Sequence, residues 1–281
     1  MFRTRVISAA VGLALFAVVM SLDRIVLGVV IFILSLIGIY EFYRAVEAKG
    51  FKPSKPAGYV SCLTVLALSV RNVNPAIGKL VESFADLRYF SLLVFIISLA
   101  LFCGVIFTNN RFSAADAAFT VLGMIYVPFM LSFLVLTRFL DDGFYFVWLI
   151  FMGAWVTDTF AYFTGRALGM RKILPQISPN KTVEGTIGGI LGCALVTTLF
   201  GAFTARTGHH GYIQVYHFII LGILSGVLSQ VSDWSASAVK RFAGIKDFGG
   251  IMPGHGGVLD RFDSVLFISP VIYFYISFII L

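Results

Sequence analysis

Charge is what this chain has least of. Only 12% of its 281 residues are Asp, Glu, Lys or Arg, while 59% are hydrophobic and the mean hydropathy is +0.94. A soluble domain carries about a quarter of its residues as charge, so a water-soluble globular fold is excluded. Long polar stretches are also missing, which leaves no room for a soluble domain. Cysteine is scarce: Cys62, Cys103 and Cys193 all lie in apolar stretches and form no CxxC pair. That excludes a disulfide framework and a thiolate metal site, and predicts simple packing roles. No repeat of fixed period is visible.

What the chain does have is a succession of apolar runs of about 20 residues, which in lipid must be helical because every backbone amide needs an internal partner. The fold class expected is all-α: a polytopic integral membrane protein of about nine transmembrane helices. The spans fall at 6–22, 25–43, 57–71, 89–108, 116–137, 143–164, 183–205, 213–238 and 262–281. Span 57–71 is short, and a re-entrant segment there would change the count. The first span follows Arg3 and Arg5 as a signal peptide would, but it has no evident cleavage site and is read as retained. With the N-terminus cytoplasmic, 15 of the 21 Lys and Arg residues fall in inner loops and 6 in outer ones. This follows the positive-inside bias and predicts an odd span count. The net charge of +7 then reflects loops facing anionic lipid, not nucleic acid. Residues 1–137 read as a scaffold of transmembrane helices, and 138–281 as a catalytic region open to the cytoplasm.

The polar residues that do occur are concentrated late. Asp158 lies inside an apolar helix, in Trp155-Val156-Thr157-Asp158-Thr159-Phe160-Ala161-Tyr162. Without a partner it would cost about 2.5–3.5 kcal/mol on insertion scales, so it must face a partner, a metal or water; capping, or pairing with an Arg of a neighbouring helix, is the plain alternative. Asp233, Ser237, Lys240 and Arg241 stand at i, i+4, i+7 and i+8, on one face of a helix. A solvated helix end explains the two cations but not Asp233, two turns deeper. Pro253-Gly254-His255-Gly256-Gly257 is a turn whose amides can approach phosphate oxygens, followed by Asp260-Arg261-Phe262-Asp263. Asp260 and Asp263 are hard oxygen donors suited to Mg²⁺ with phosphates completing the shell, although either alone would also serve as a helix cap. Lys181, in the loop Ser178-Pro179-Asn180-Lys181-Thr182-Val183-Glu184-Gly185, precedes a helix N-terminus and makes a plausible anion site. It is not a P-loop, because GxxxxGK[ST] is absent. Gly185, Gly188, Gly189 and Gly192 predict close helix packing.

Together these residues resemble the phosphatidate cytidylyltransferase (CDP-diacylglycerol synthase) family. The signature Ser-x-aliphatic-Lys-Arg, Lys-Asp, Pro-x-His-Gly-Gly-x-x-Asp-Arg-x-Asp is matched from Ser237 to Asp263, through Lys246-Asp247, with Met252 as a conservative departure. The resemblance is specific over 150–281 and, ahead of that, is one of hydropathy only. It implies an Mg²⁺-dependent reaction of CTP with phosphatidate, and a two-cation centre at Asp233 and Asp260 in which K⁺ could accompany Mg²⁺. On this reading Asp233, Asp260 and Asp263 serve the metal. Lys181, Lys246, His255 and Arg261 hold CTP phosphates, Lys240 and Arg241 meet the lipid phosphate, and Asp158 supports the centre. Ser178, Ser237, Gly256 and Gly257 belong to the substrate-binding set. A multi-pass protein of the cell membrane, as monomer or homodimer, is expected. A CTP-dependent polyprenol kinase and a cation-coupled transporter are the competing readings.

Overall fold

The computed structural model describes residues 2–73, 75–85, 87–108, 111–207, 213–251 and 256–281. The chain forms α1 (Phe2–Ser21), α2 (Arg24–Glu47), α3 (Lys55–Val70), α4 (Pro75–Ala85), α5 (Leu87–Phe107), α6 (Ala114–Met124) and α7 (Met130–Arg138). Then follow α8 (Gly143–Leu168), the strands β1 (Lys172–Leu174) and β2 (Ser178–Thr182), α9 (Val183–Arg206), α10 (Val215–Ala243) and α11 (Leu259–Tyr275). Helix α6 runs into α7 through a π-turn at Ile125–Phe129 that holds Pro128. A proline removes one rung of the helical ladder and crowds the preceding turn, and the wider turn absorbs both effects.

Each expected span falls on a helix. Among the described residues six helical stretches are long and apolar enough to cross a membrane: Arg24–Glu47, Ala114–Arg138, Gly143–Leu168, Val183–Arg206, Val215–Ala243 and Leu259–Ile280. Helix α3, at 16 residues, is about 24 Å long, short of the roughly 30 Å hydrocarbon core. The lipid-compatible character shows on the surface too. Leu191, Leu195, Leu199 and Phe203 form an exposed apolar stripe along α9, at a spacing of one residue per turn.

The chain divides into two compact units, Met1–Val135 with Ala243–Leu259, and Leu136–Phe242 with Asp260–Leu281. In the first, Tyr43 is fully buried and donates its hydroxyl to the Thr120 carbonyl at 2.9 Å. Gly58 and Gly123 flank its ring so closely that a Cβ at either would lie 2.3 or 2.4 Å from ring carbons. Ser113 and Asp116 form a capping box on α6, and Asp116 also accepts from the Lys52 amide. In the second unit α8 packs on α9 through small residues. A Cβ on Gly188, Gly189 or Gly192 would meet Thr164, Thr157 or Phe160 at under 3.0 Å. The close packing expected of those glycines is what the structure has.

Candidate active site

The segment expected as a loop before α9 is a short antiparallel hairpin, with Lys172 opposite Thr182 and Leu174 opposite Ser178. Thr182 caps α9 by accepting from the Gly185 amide at 3.1 Å. Glu184 reaches back to accept from the Met170 and Arg171 amides at 3.0 and 3.3 Å, tying α8's exit to α9's first turn. Its role here is anchoring the hairpin. Arg241, from α10, donates to the Ile177 carbonyl in the hairpin turn at 3.4 Å.

That hairpin delivers Lys181 to a position between two helices. Its Nζ is 2.9 Å from Asp233 Oδ2 on α10 and 3.6 Å from Asp158 Oδ1 on α8. Burial works against the ammonium charge, but Asp233 and then Asp158 outweigh it and hold the Lys181 pKa above its ordinary value. The lysine is therefore a fixed positive charge. Half of Asp158's side-chain surface stays open, against 20% for Asp233 and 27% for Lys181, so the trio faces outward through Asp158. Tyr162, one turn along α8, takes a hydrogen bond from Arg166 at 3.1 Å.

A second pair lies on the same unit. Lys240 Nζ donates to Asp260 Oδ1 at 2.8 Å, with side-chain exposures of only 11% and 3%. The sequence suggested a lipid phosphate for Lys240; its ammonium here is held by Asp260, on the first turn of α11. Asp263 joins the two pairs, lying within electrostatic reach of Asp233, Lys240 and Asp158. Its backbone carbonyl accepts from Ser232, and its carboxylate accepts from the Ser264 amide at 2.8 Å. Arg261 is exposed and within electrostatic reach of Asp158. Ser178 and Ser237 are half-buried on β2 and α10. Two cation–carboxylate groups, Lys181 with Asp158 and Asp233, and Lys240 with Asp260, are thus linked through Asp263, whose carboxylate faces the like charge of Asp233 as well as Lys240.

The remaining expected site residues belong to the other unit. Lys246 and Asp247 are exposed there, and Gly256 adopts a φ of +85°, which glycine tolerates and other residues rarely do. Gly257 is buried against Glu41, an α2 carboxylate that the sequence did not single out. His255, with Met252, Pro253 and Gly254, lies outside the described residues, as do His209 and His210. Glu41 escaped notice because it sits at the end of an apolar span beside Arg44, where a charge looks like ordinary solvation. Its partners are backbone amides, which carry no mark in a sequence.

Among the described residues no three His, Cys, Asp or Glu side chains converge into a closed metal cage. What the cluster offers is carboxylate oxygens with neutralising ammonium groups between them, an arrangement that could place and stabilise polyphosphate.

Comparison with known proteins follows the same direction. The cytidylyltransferase family matches residues 3–279, so the likeness is not confined to the C-terminal half where the motifs lie. A phosphatidate cytidylyltransferase of Staphylococcus haemolyticus is 31% identical over 270 residues, covering 96% of this chain and 97% of its own length. One from Staphylococcus saprophyticus is 33% identical over the same extent. One from Bacillus subtilis is 37% identical over 173 residues, which is 61% of this chain and 62% of that protein. With the match running almost from end to end, the chain belongs to the cytidylyltransferase family.

Proposed function

We propose that this chain transfers the cytidylyl group of CTP to phosphatidate, forming CDP-diacylglycerol and releasing pyrophosphate. The observation that carries the reading is Lys181 fixed between Asp158 and Asp233, in a chain that matches the cytidylyltransferase family over residues 3–279. A phosphate oxygen of phosphatidate attacks the α-phosphorus of CTP, a new phosphoanhydride forms, and the α–β bond breaks to release pyrophosphate. The nucleophile is already largely ionised at neutral pH, since a phosphate monoester's second pKa is about 6. No strong general base is needed. The protein's task is to bring two anions together and hold the leaving group's charge.

Lys181, Arg261, Lys246 and His255 are assigned to the CTP phosphates, and Arg241 to the lipid phosphate at headgroup depth. Lys240 orients the buried Asp260 carboxylate through their 2.8 Å hydrogen bond. The donors fit Mg²⁺, which takes one or two carboxylates and leaves its other positions to water and substrate phosphate. One or two of Asp233, Asp260 and Asp263 would hold it directly, with K⁺ as an accompanying cation. When bound, the ion would withdraw charge from the phosphates and from departing pyrophosphate. We further place the N-terminus and the site on the cytoplasmic face, with nine crossings and residues 1–137 as scaffold, on the 15-to-6 distribution of basic residues.

The test is product analysis with purified protein in phosphatidate-containing micelles, with and without Mg²⁺. Cytidine label entering lipid together with pyrophosphate release is expected. Transfer of the γ-phosphate alone would make the chain a lipid kinase, and cation flux without CTP would make it a transporter.

A further inference from the structure

Glu41 is 1% exposed, on the last two turns of α2. The Val258 N–H donates to its Oε1 at 3.0 Å and the Leu259 N–H to its Oε2 at 2.9 Å. These are amides at the start of α11, where the first four N–H groups have no partner within the helix. Such groups are usually capped by a side chain a few residues away. Here the cap comes from 217 residues earlier in the chain. A carboxylate at this end also meets the positive pole of the helix.

The same carboxylate organises the loop before α11. A Cβ at Gly249 would lie 2.2 Å from Glu41 Oε1, and one at Gly257 would lie 2.4 Å from it. The Gly249 Cβ would also come within 3.2 Å of Gly257 Cα. The two ends of the 249–257 loop therefore meet over Glu41, and each is glycine because the acid occupies the space of a side chain. One turn earlier on α2, Gly38 faces Leu259, where a Cβ would be 3.2 Å from Cδ2. Helix α2 thus fixes both the loop and the starting residue of α11. The next residue in the chain is Asp260.

We infer that Glu41 is a positioning residue for the transfer reaction: it holds Gly249 and Gly257 together and fixes the first residue of α11, the helix whose next residue is Asp260. The inference rests on the cytidylyltransfer reading for its catalytic half only. Its structural half stands alone and has its own readout.

The experiment compares full-length wild type with Glu41→Gln and with Gly249→Ala, alone and combined with Glu41→Asp. Hydrogen exchange is measured without substrate, and pyrophosphate release is measured with CTP, phosphatidate and Mg²⁺. Glu41→Gln keeps the size of the side chain but loses one acceptor and the charge. It should remove protection from 249–262 while other segments keep theirs, and lower kcat by roughly ten- to a hundred-fold, as small misplacements of reacting groups do. KM for CTP should change less. Gly249→Ala should give the same pattern, and Glu41→Asp, one methylene shorter, should partly restore it. Unchanged exchange at 249–262 overturns the inference, as does protection lost throughout the protein, or local loosening with a wild-type kcat. Wild type that opens normally but never turns over CTP defeats the proposed function instead, and exchange then decides Glu41's structural role.

Discussion

Two lysines in this site sit against carboxylates in contrasting ways. Lys240 and Asp260 are both nearly buried, so removing one takes from the other a close opposite charge that water cannot readily replace. Lys240→Met should cost about 3–5 kcal/mol of stability, as broken buried pairs do, whereas Lys240→Met with Asp260→Asn should recover most of it. Unfolding in detergent measures this, and turnover measured alongside should stay lost in the double variant, because Asp260 is assigned to the metal. Equal instability of single and double variants would show that the pair does not act as a unit. Lys181 is more open, and its raised pKa fixes the sign of its pH dependence. The stability it gains from Asp233 and Asp158 is fully present below the ordinary lysine value and is lost only as pH rises through the higher folded value. The difference in thermal midpoint between wild type and Lys181→Met should therefore stay constant from about pH 6 to 9 and shrink only at stronger alkalinity. A difference that changes near neutrality would mean another group controls the pairing.

At the level of elements, the site depends on how closely α8 and α9 approach, because α8 carries Asp158 while the hairpin leading into α9 carries Lys181. Gly189 lies against the Thr157 carbonyl, where a Cβ would be 2.9 Å away, and backbone cannot yield as a flexible side chain can. Gly189→Leu should push the helices apart, costing about 1–3 kcal/mol and lowering turnover without altering any charge. Gly12→Ala, with nothing within 4 Å of the added methyl, should leave both unchanged. Those glycines were legible in the sequence because small residues repeated along a helix have few other uses in lipid. Asp158, Asp233 and Asp260 were legible because charge is costly among apolar residues. The hairpin was not: its strands have three and five residues, too short for an alternating pattern, and Pro179 argues against a strand. The pairing of Lys181 with Asp233, and of Glu41 with two distant amides, depends on tertiary register. Hydropathy decides which residues are buried, not which helix they face.

For the whole molecule, function depends on which ends and loops share a side of the membrane. On the topology proposed from the basic residues, the 48–54, 169–182 and 244–258 loops lie inside, and Gln214, just ahead of α10 at the edge of the eighth expected span, lies at the outer face. Cys62 and Cys193 are buried, so replacing the half-exposed Cys103 by Ala leaves a background with little reactive thiol. Single cysteines at Lys49, Lys172, Lys246 and Gln214 can then be labelled with a membrane-impermeant maleimide, in vesicles of both orientations. The first three should react only when the cytoplasmic face is outward, and Gln214→Cys only in the opposite orientation. Labelling of Lys49→Cys and Lys172→Cys from opposite faces would require an odd number of crossings between them. The four spans expected there, 57–71, 89–108, 116–137 and 143–164, would then be wrong by one, and α3 at about 24 Å is the element that would be re-entrant. Reaction of Lys246→Cys from the outer face would be more serious. It would separate that loop from cytoplasmic CTP, leaving a site at the start of α11 with no nucleotide to use.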